Sequence, residues 1–311
     1  MSPPWQPNAS RDLLLARQTL YRNIRHFFFE RNVLEVETPL LGQAPVADPN
    51  ITPMQADGNR WLHTSPEYAM KRLLCAGSGD IYQICKVFRQ GEAGNRHNPE
   101  FSMLEWYRVG WSLRELMDEV ARLLQLALAS RYPQLPVQLY SYRQALQTFA
   151  GLDVATCDDA AIAQLGCQLA NADLQLERDG WLDVIMSHQV EPALPRDTLV
   201  FIDNFPASQA ALAKIRSQAD GHRWAQRFEV FFNGMELANG YDELLDAGIQ
   251  RQRFEQELAG TGRPCDERLL AALEHGLPDC CGVALGLDRL LLHATGTHSI
   301  KDVLSFAWER A

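Results

Sequence analysis

Asp80-Ile-Tyr-Gln-Ile-Cys-Lys-Val-Phe-Arg89 and Glu100-Phe-Ser-Met-Leu-Glu-Trp-Tyr-Arg-Val109 flank a polar segment, Gln90-Gly-Glu-Ala-Gly-Asn-Arg-His-Asn-Pro99. Both flanks alternate with period two and are rich in aromatic and β-branched residues, which predicts two antiparallel strands. On the second strand Phe101, Met103, Glu105 and Tyr107 share one face, and Leu104 and Trp106 take the other. An acid and a phenol on an otherwise apolar face need polar company. The loop between the strands adds Arg89, Arg96, His97 and Asn98, a donor-rich set suited to an anion such as phosphate.

Downstream, a second group runs from Arg227 to Leu244. Asn233-Gly234 between alternating runs is a strong hairpin signal. A two-residue turn there sets Phe232 opposite Met235 and Phe231 opposite Glu236, with Glu229 diagonal to Glu236 on the same face. Two carboxylates so placed repel each other unless a cation lies between them. Magnesium, a hard ion that takes carboxylate and phosphate oxygens, is the natural fit. A third group, Cys281-Gly-Val-Ala-Leu-Gly-Leu-Asp-Arg-Leu-Leu-Leu292, reads as a strand, a close approach permitted by glycine, and a helix opening near Asp288. Arg289 in the first helical turn, beside free N–H groups, makes an anion site.

Upstream, Met1 to Asn8 holds three prolines and reads as an extended arm. Ser10 is a plausible N-cap for a helix carrying Leu13, Ala16, Leu20, Ile24 and Phe27 or Phe28 on one face and ending near Arg31-Asn32. Val33 to Pro39 follows as a short strand stopped by proline. Gln43 to Arg60 reads as a loop, with prolines at 45, 49 and 53. In Ser65-Pro-Glu67, serine suits an N-cap, proline the first helical position, and the acid the positive end of the helix dipole. Taken alone, Glu67 reads as an acid that stabilises its helix. Ser112 to Arg131 is an amphipathic helix; residues 132–200 read as helices with loops, an insertion between catalytic strands.

The chain of 311 residues can hold one large domain or two small ones. Its formal net charge of −10 argues against gripping long nucleic acid by the phosphates. The seven cysteines show no C-x-x-C spacing and an odd count, which suggests neither a zinc site nor a disulfide framework and fits a reducing cytoplasm. No long apolar run suggests a membrane span or signal peptide.

Phe88-Arg89 with Arg96-His-Asn-Pro-Glu-Phe101 resembles the second signature motif of class II aminoacyl-tRNA synthetases, and Glu105-Trp-Tyr107 is similar to their lysyl branch. The first helix and strand resemble the first motif, which builds the dimer interface in that family, and Gly286-Leu-Asp-Arg289 the third. Phe205-Pro-Ala-Ser-Gln209 also resembles the lysyl branch. The resemblance covers essentially the whole chain. It implies an α+β fold, an antiparallel sheet flanked by helices, in a single catalytic domain over residues 1–311, usually a homodimer.

The resemblance also assigns roles. ATP contacts fall on Arg89, Gln90, Gly91, Glu92, His97, Asn98, Phe101, Glu236, Leu237, Gly286 and Arg289. Arg89 would hold the α-phosphate, Arg289 the γ-phosphate, and Glu229 and Glu236 a magnesium ion. The amino-acid pocket falls on Ser65, Pro66, Glu67, Glu105, Tyr107, Asn239, Glu243 and Ala284, with Glu67 receiving a substrate amino group and Glu243 a side-chain amine. Gln90-Gly-Glu92 stands where the family more usually has Arg-Asn-Glu, among the adenine contacts. Ala284 stands where lysyl-tRNA synthetases tend to have glycine, and its methyl group would reshape the pocket floor against α-lysine.

The first motif-like helix begins near residue 10, leaving no room for the β-barrel that reads the anticodon in lysyl-tRNA synthetases. A lysyl-type core without it closely resembles the elongation factor P–(R)-β-lysine ligase family, which joins an activated β-lysyl group to a lysine ε-amine of elongation factor P. The expected cofactors are ATP and Mg2+, and the expected acceptor a protein rather than tRNA. Three rivals stand beside this reading. A truncated enzyme acylating tRNA is disfavoured by the acidic charge. An amidating ligase of the asparagine-synthetase type fits less well with Glu105, Tyr107 and Glu243. A non-catalytic regulatory paralogue should have lost the ATP arginines or the metal acids, and all four are present.

Overall fold

A computed structural model describes residues 3, 5–48, 50–172, 174–218 and 221–311. Helix α1 (Arg11–Phe29) is followed by β1 (Leu34–Glu35), β2 (Leu41–Gly42), β3 (Gln55–Ala56) and β4 (Arg60–Leu62). Then come α2 (Glu67–Cys75), β5 (Ile81–Phe88), β6 (Glu100–Val109) and α3 (Leu113–Leu128). The middle of the chain carries β7 (Val137–Ser141), α4 (Tyr142–Ala150), α5 (Asp159–Ala170), α6 (Arg178–Ile185), α7 (Glu191–Ala193), β8 (Leu199–Pro206), β9 (Ile215–Ser217), β10 (Arg223–Phe232) and β11 (Met235–Asp242). The last stretch adds α8 (Ala247–Glu257), α9 (Glu267–Gly276), β12 (Cys280–Gly286), α10 (Leu287–Thr295) and α11 (Ile300–Val303).

These elements form two compact units, Met1–Pro133 with Glu243–Ala311, and Gln134–Asp242. In the first, the strand order is β1-β5-β6-β12; β1 runs parallel to β5, and β5-β6 and β6-β12 are antiparallel. The expected hairpin therefore forms, Val87 pairing with Phe101 and Gln83 with Glu105. One face of this sheet packs on helices: Phe28 of α1 stacks on Tyr82 at 4.4 Å and meets Trp106 edge-on at 5.4 Å. That face is not purely apolar. Glu119 of α3 accepts from Trp106 Nε1 (3.1 Å) and from Arg108 (2.6 and 3.0 Å), so the buried carboxylate is fully partnered.

Local chemistry fixes the helix starts. Ser10 Oγ accepts from Leu13 N, and Ser112 forms a capping box with Glu115. Ser65 does not cap α2 as expected: Pro66 holds the N-cap position, while Ser65 Oγ still accepts from Glu67 N at 3.0 Å. The strand expected over 33–39 shrinks to Leu34–Glu35, and the loop expected over 43–60 contains β3 and meets β4 at Arg60. Met1, Ser2 and Pro4 of the expected arm, and Pro49 of that loop, lie outside the described residues. Asn8 N donates to Ser305 O at 2.8 Å, so the arm is pinned by the C-terminal segment.

In the second unit the order is β7-β8-β10-β11, with β9 on the side of β10. β7 runs parallel to β8, while β8-β10 and β10-β11 are antiparallel. Both units are thus antiparallel-dominated sheets with helices, as expected of an α+β fold. The segment 132–200 holds the expected helices but also β7, a strand of five residues, none of them buried. Helices α4 to α6 bury Tyr142, Leu146, Trp181 and Ile185 against Val200, Phe205 and Trp224.

Candidate active site

Three carboxylates of the first unit converge in its interior. Glu67 opens α2, Glu105 lies in mid-β6, and Glu243 follows β11; they are 8%, 2% and 1% exposed. Glu105 accepts from Ser65 Oγ (2.7 Å) and from Tyr107 OH (2.8 Å), its neighbour on the same strand face. Burial, reinforced by Glu67, nonetheless pushes Glu105 up to about 8 against those two donors. Glu243 is tethered by its backbone N–H to Cys280 O at 3.1 Å, and burial pushes its carboxyl up to about 8.

Lys71, to which the sequence assigns no role, lies among them. Its Nζ is 2.6 Å from Glu67 Oε1 and 2.6 Å from Glu243 Oε2, and the residue is 1% exposed. Burial alone would lower its pKa, but Glu243 and Glu67 outweigh it and hold the ammonium protonated. The i,i+4 spacing from Glu67 was a signal for half of this contact. The other half depends on a long-range approach that no local pattern encodes.

Gly282 makes the approach possible. It lies opposite Tyr107 in the β6–β12 pairing, and a Cβ there would stand 2.3 Å from Tyr107 Cε1 and 2.6 Å from Glu243 Oε1. The close approach read from the glycines of this segment is therefore at Gly282; at Gly286 the nearest atom is Arg289 Cδ at an ordinary 3.7 Å. Ala284 pairs with Glu105 in the β6–β12 register.

The residues of the first unit expected to meet an anion lie on the β5–β6 loop and at the start of α10. Arg89 is tied through its backbone to Pro99 O, and its guanidinium lies over Phe101 at 5.1 Å. Its Nε is buried without a hydrogen-bond partner, an orphaned donor that an anion would fit. Arg289 donates to His97 Nε2 at 2.6 Å, which brings the second and third motif-like segments together. Gly286 is the N-cap residue of α10. Asn98 differs from expectation: its Nδ2 donates to Glu100 O and its Oδ1 accepts from Trp308 N, so both ends of the amide hold the loop in place. Gln90 and Gly91 are exposed and Glu92 is half-buried, 3.8 Å from Arg89.

Asp288 does more than open a helix. It is 2% exposed, accepts from Ser102 N at 2.7 Å and pairs with Arg17 of α1 at 2.5 Å, fixing the residue before Arg289.

In the second unit, Asn233 and Gly234 both take positive φ (52° and 73°), the turn that this dipeptide favours. Phe232 faces Met235 and Phe231 faces Glu236 as expected, but a bulge between Val230 and Phe231 then shifts the register, setting Glu229 opposite Asn239. Arg227, unassigned by the sequence, gathers this surface. It donates to Glu229 Oε1 (2.5 Å), Asn239 Oδ1 (3.3 Å) and Gln209 O (3.0 Å). Asn239 in turn donates to Tyr241 OH at 2.9 Å. Burial, opposed by Arg227 and reinforced by Glu236, pushes Glu229 up to about 7. Leu237 is 2% exposed, so its side chain belongs to the core.

Glu229 and Glu236 supply hard oxygen donors that repel one another, a donor set that fits magnesium. Among the described residues, no group of three or more His, Cys, Asp or Glu could hold an ion by itself. An ion here would need further oxygens, such as those of phosphates. No helix among the described residues is long and apolar enough to cross a membrane.

The family model described as "tRNA synthetases class II (D, K and N)" matches residues 5–310. Proteins named elongation factor P–(R)-β-lysine ligase are similar along nearly their whole length. Those of Pectobacterium carotovorum and Pectobacterium atrosepticum are 46% identical over 99% of this chain and 98% of their own. That of Salmonella dublin is 45% identical over the same shares. With the motif-bearing segments placed as described and one family model spanning both units, the chain belongs to the class II (D, K and N) tRNA synthetase family.

Proposed function

We propose that this chain is an ATP-dependent ligase that activates (R)-β-lysine, or lysine, and joins it to a lysine ε-amine of elongation factor P. The observation that carries the reading is the buried trio Glu67, Glu105 and Glu243, since buried carboxylates require cationic partners. A substrate with two amines meets that requirement; a neutral or acidic amino acid does not. The name shared by relatives of matching length supports the same assignment.

In the first step a substrate carboxylate oxygen attacks the α-phosphorus of ATP, forming an acyl-adenylate and releasing pyrophosphate. Charge builds on the phosphate in the transition state, so positioned cations are the main catalytic resource. Arg89 would hold the α-phosphate and Arg289 the γ-phosphate, with Gln90, Gly91, Glu92, His97, Phe101, Gly286 and the Leu237 backbone around the nucleotide. Magnesium, held by Glu229 and Glu236, would offset phosphate charge. Ser65 and Tyr107 orient Glu105 toward a substrate ammonium, and Pro66, Asn239 and Ala284 complete the pocket. In the second step the acceptor amine attacks the acyl carbon, forming an amide and releasing AMP.

The protein is read as one catalytic domain, on the strength of the single family model over 5–310. Self-association is proposed through the first motif-like segment, where Phe29 is 78% and Leu34 56% exposed, with Leu14, Leu15 and Leu41 also exposed. Seven free thiols agree with a cytoplasmic setting.

Incubation with ATP, Mg2+ and labelled (R)-β-lysine should transfer label to elongation factor P and not to bulk tRNA. Label on tRNA with none on the protein would overturn the assignment in favour of a tRNA-acylating enzyme.

A further inference from the structure

We infer that Lys71 is a positioning residue that sets the charge balance of the amine pocket, gathering Glu67 and Glu243 on one ammonium so that the pocket takes substrates with two ammonium groups. The inference rests on the functional reading above and names a determinant of substrate class within it. Lys71 lies 2.6 Å from each of the two acids and is 1% exposed, so it has no aqueous alternative to them.

A buried ion pair is weak ground for stability, because desolvation of the charges consumes most of the attraction. A role in stability alone therefore gives little reason for a lysine here. Charge offers a better one. Three carboxylates and one ammonium leave a net charge of −2, which two substrate ammonium groups neutralise. Without Lys71 the pocket would carry one negative charge more than such a substrate can match, and the carboxylates would respond by taking up a proton.

The groups that face Lys71 are Glu67 and Cys75 on its own helix, Glu105 and Tyr107 on β6, and Glu243 after β11. Beyond Glu67 lie Tyr68, Glu257, Asp48 and Asp266, with Arg253 acting on Glu257. Apart from Arg253, these are acids or acidic hydroxyls and thiols. The ammonium is the cation in direct contact with the pocket acids, and it opposes the upward shifts of both Glu105 and Glu243.

The test is pyrophosphate exchange, read as KM for the diamino acid from pH 6 to 8.5, in wild type, Lys71→Met and Lys71→Arg. In wild type KM falls as pH rises, because the pocket acids must ionise to receive the ammonium groups. In Lys71→Met the fall should move up by about one pH unit or more, raising KM at pH 7 about tenfold while KM for ATP stays unchanged. An unchanged KM, or one raised by the same factor at every pH, assigns Lys71 to packing alone and overturns the inference. Lys71→Arg keeps a cation and should keep the wild-type midpoint, which makes it decisive even if the neutral variant does not fold. A midpoint displaced by one unit in Lys71→Arg also overturns the inference. Wild-type protein that shows no exchange with any diamino acid refutes the functional reading itself, and this inference with it.

Discussion

Substituting alanine for Gly282 would place a methyl carbon 2.3 Å and 2.5 Å from Tyr107 ring carbons and 2.6 Å from Glu243 Oε1. Ordinary contacts of this kind lie near 3.4–4 Å, so something must move by about 1 Å. Neither neighbour is a loose end. Tyr107 is 2% exposed and donates to Glu105, and Glu243 is 1% exposed and paired with Lys71. Overpacking a filled interior costs roughly 1–3 kcal/mol, and two rigid neighbours place this site in the upper half of that range. At roughly 2–4 °C per kcal/mol for a chain of this class, the melting temperature should fall by about 4–12 °C. Function should suffer separately. A displaced Tyr107 weakens its hydrogen bond to a charged acceptor, worth about 1.5–3 kcal/mol, so KM for the diamino acid should rise about tenfold or more. KM for ATP should change little, because Arg89 and Arg289 do not touch Gly282. Thermal unfolding and pyrophosphate exchange on the same preparation read both numbers. A variant with wild-type stability and wild-type KM would mean that Tyr107 and Glu243 do not press on Gly282, and the pocket geometry would have to be abandoned.

Arg89→Ala and Arg289→Ala should each slow exchange about a hundredfold, on the order of 3 kcal/mol, while the melting temperature stays near wild type; near-normal exchange removes that arginine from the site. Glu236→Gln keeps shape but loses charge, so the magnesium concentration for half-maximal exchange should rise; an unchanged requirement excludes it as a ligand. Glu105 and Glu243 are both raised to about 8, well above the unfolded value of about 4.3. Between those values the folded state binds more protons than the unfolded one, so these two groups make stability fall as pH rises toward 8. A bound diamino acid offsets that loss. Its stabilising effect on the melting temperature should therefore grow from pH 6.5 to 8.5, and an effect that shrinks over this range contradicts the carboxylate assignment.

The parts of the molecule that were legible in advance are those written into short stretches of chain. The β5–β6 hairpin follows from period-two alternation, and the 233–234 turn from a dipeptide that tolerates positive φ. The starts of α1 and α3 follow from their serine caps. The illegible parts depend on partners brought together by the fold. The bulge after Val230 leaves no mark in residue type, yet it decides what Glu229 faces. Asn98 carries the same signal whether it meets a nucleotide or Trp308 N. Lys71 looked like one of many helical cations until Glu243 arrived beside it. Charge counted along the chain points to three acids, and only packing reveals the cation among them.

The carboxylate of Asp288 bears on how the chain reaches this state at all. It joins Arg17 near one end to Ser102 and to the helix that begins beside it, contacts separated by 271 and 186 residues. Such a junction cannot form until loops of that length have closed, and their entropy is spent before the contact repays it. Refolding should therefore show early burial of the β5–β6 hairpin and a later, slower phase in which Arg289 reaches its place. Anion binding should return with the slow phase.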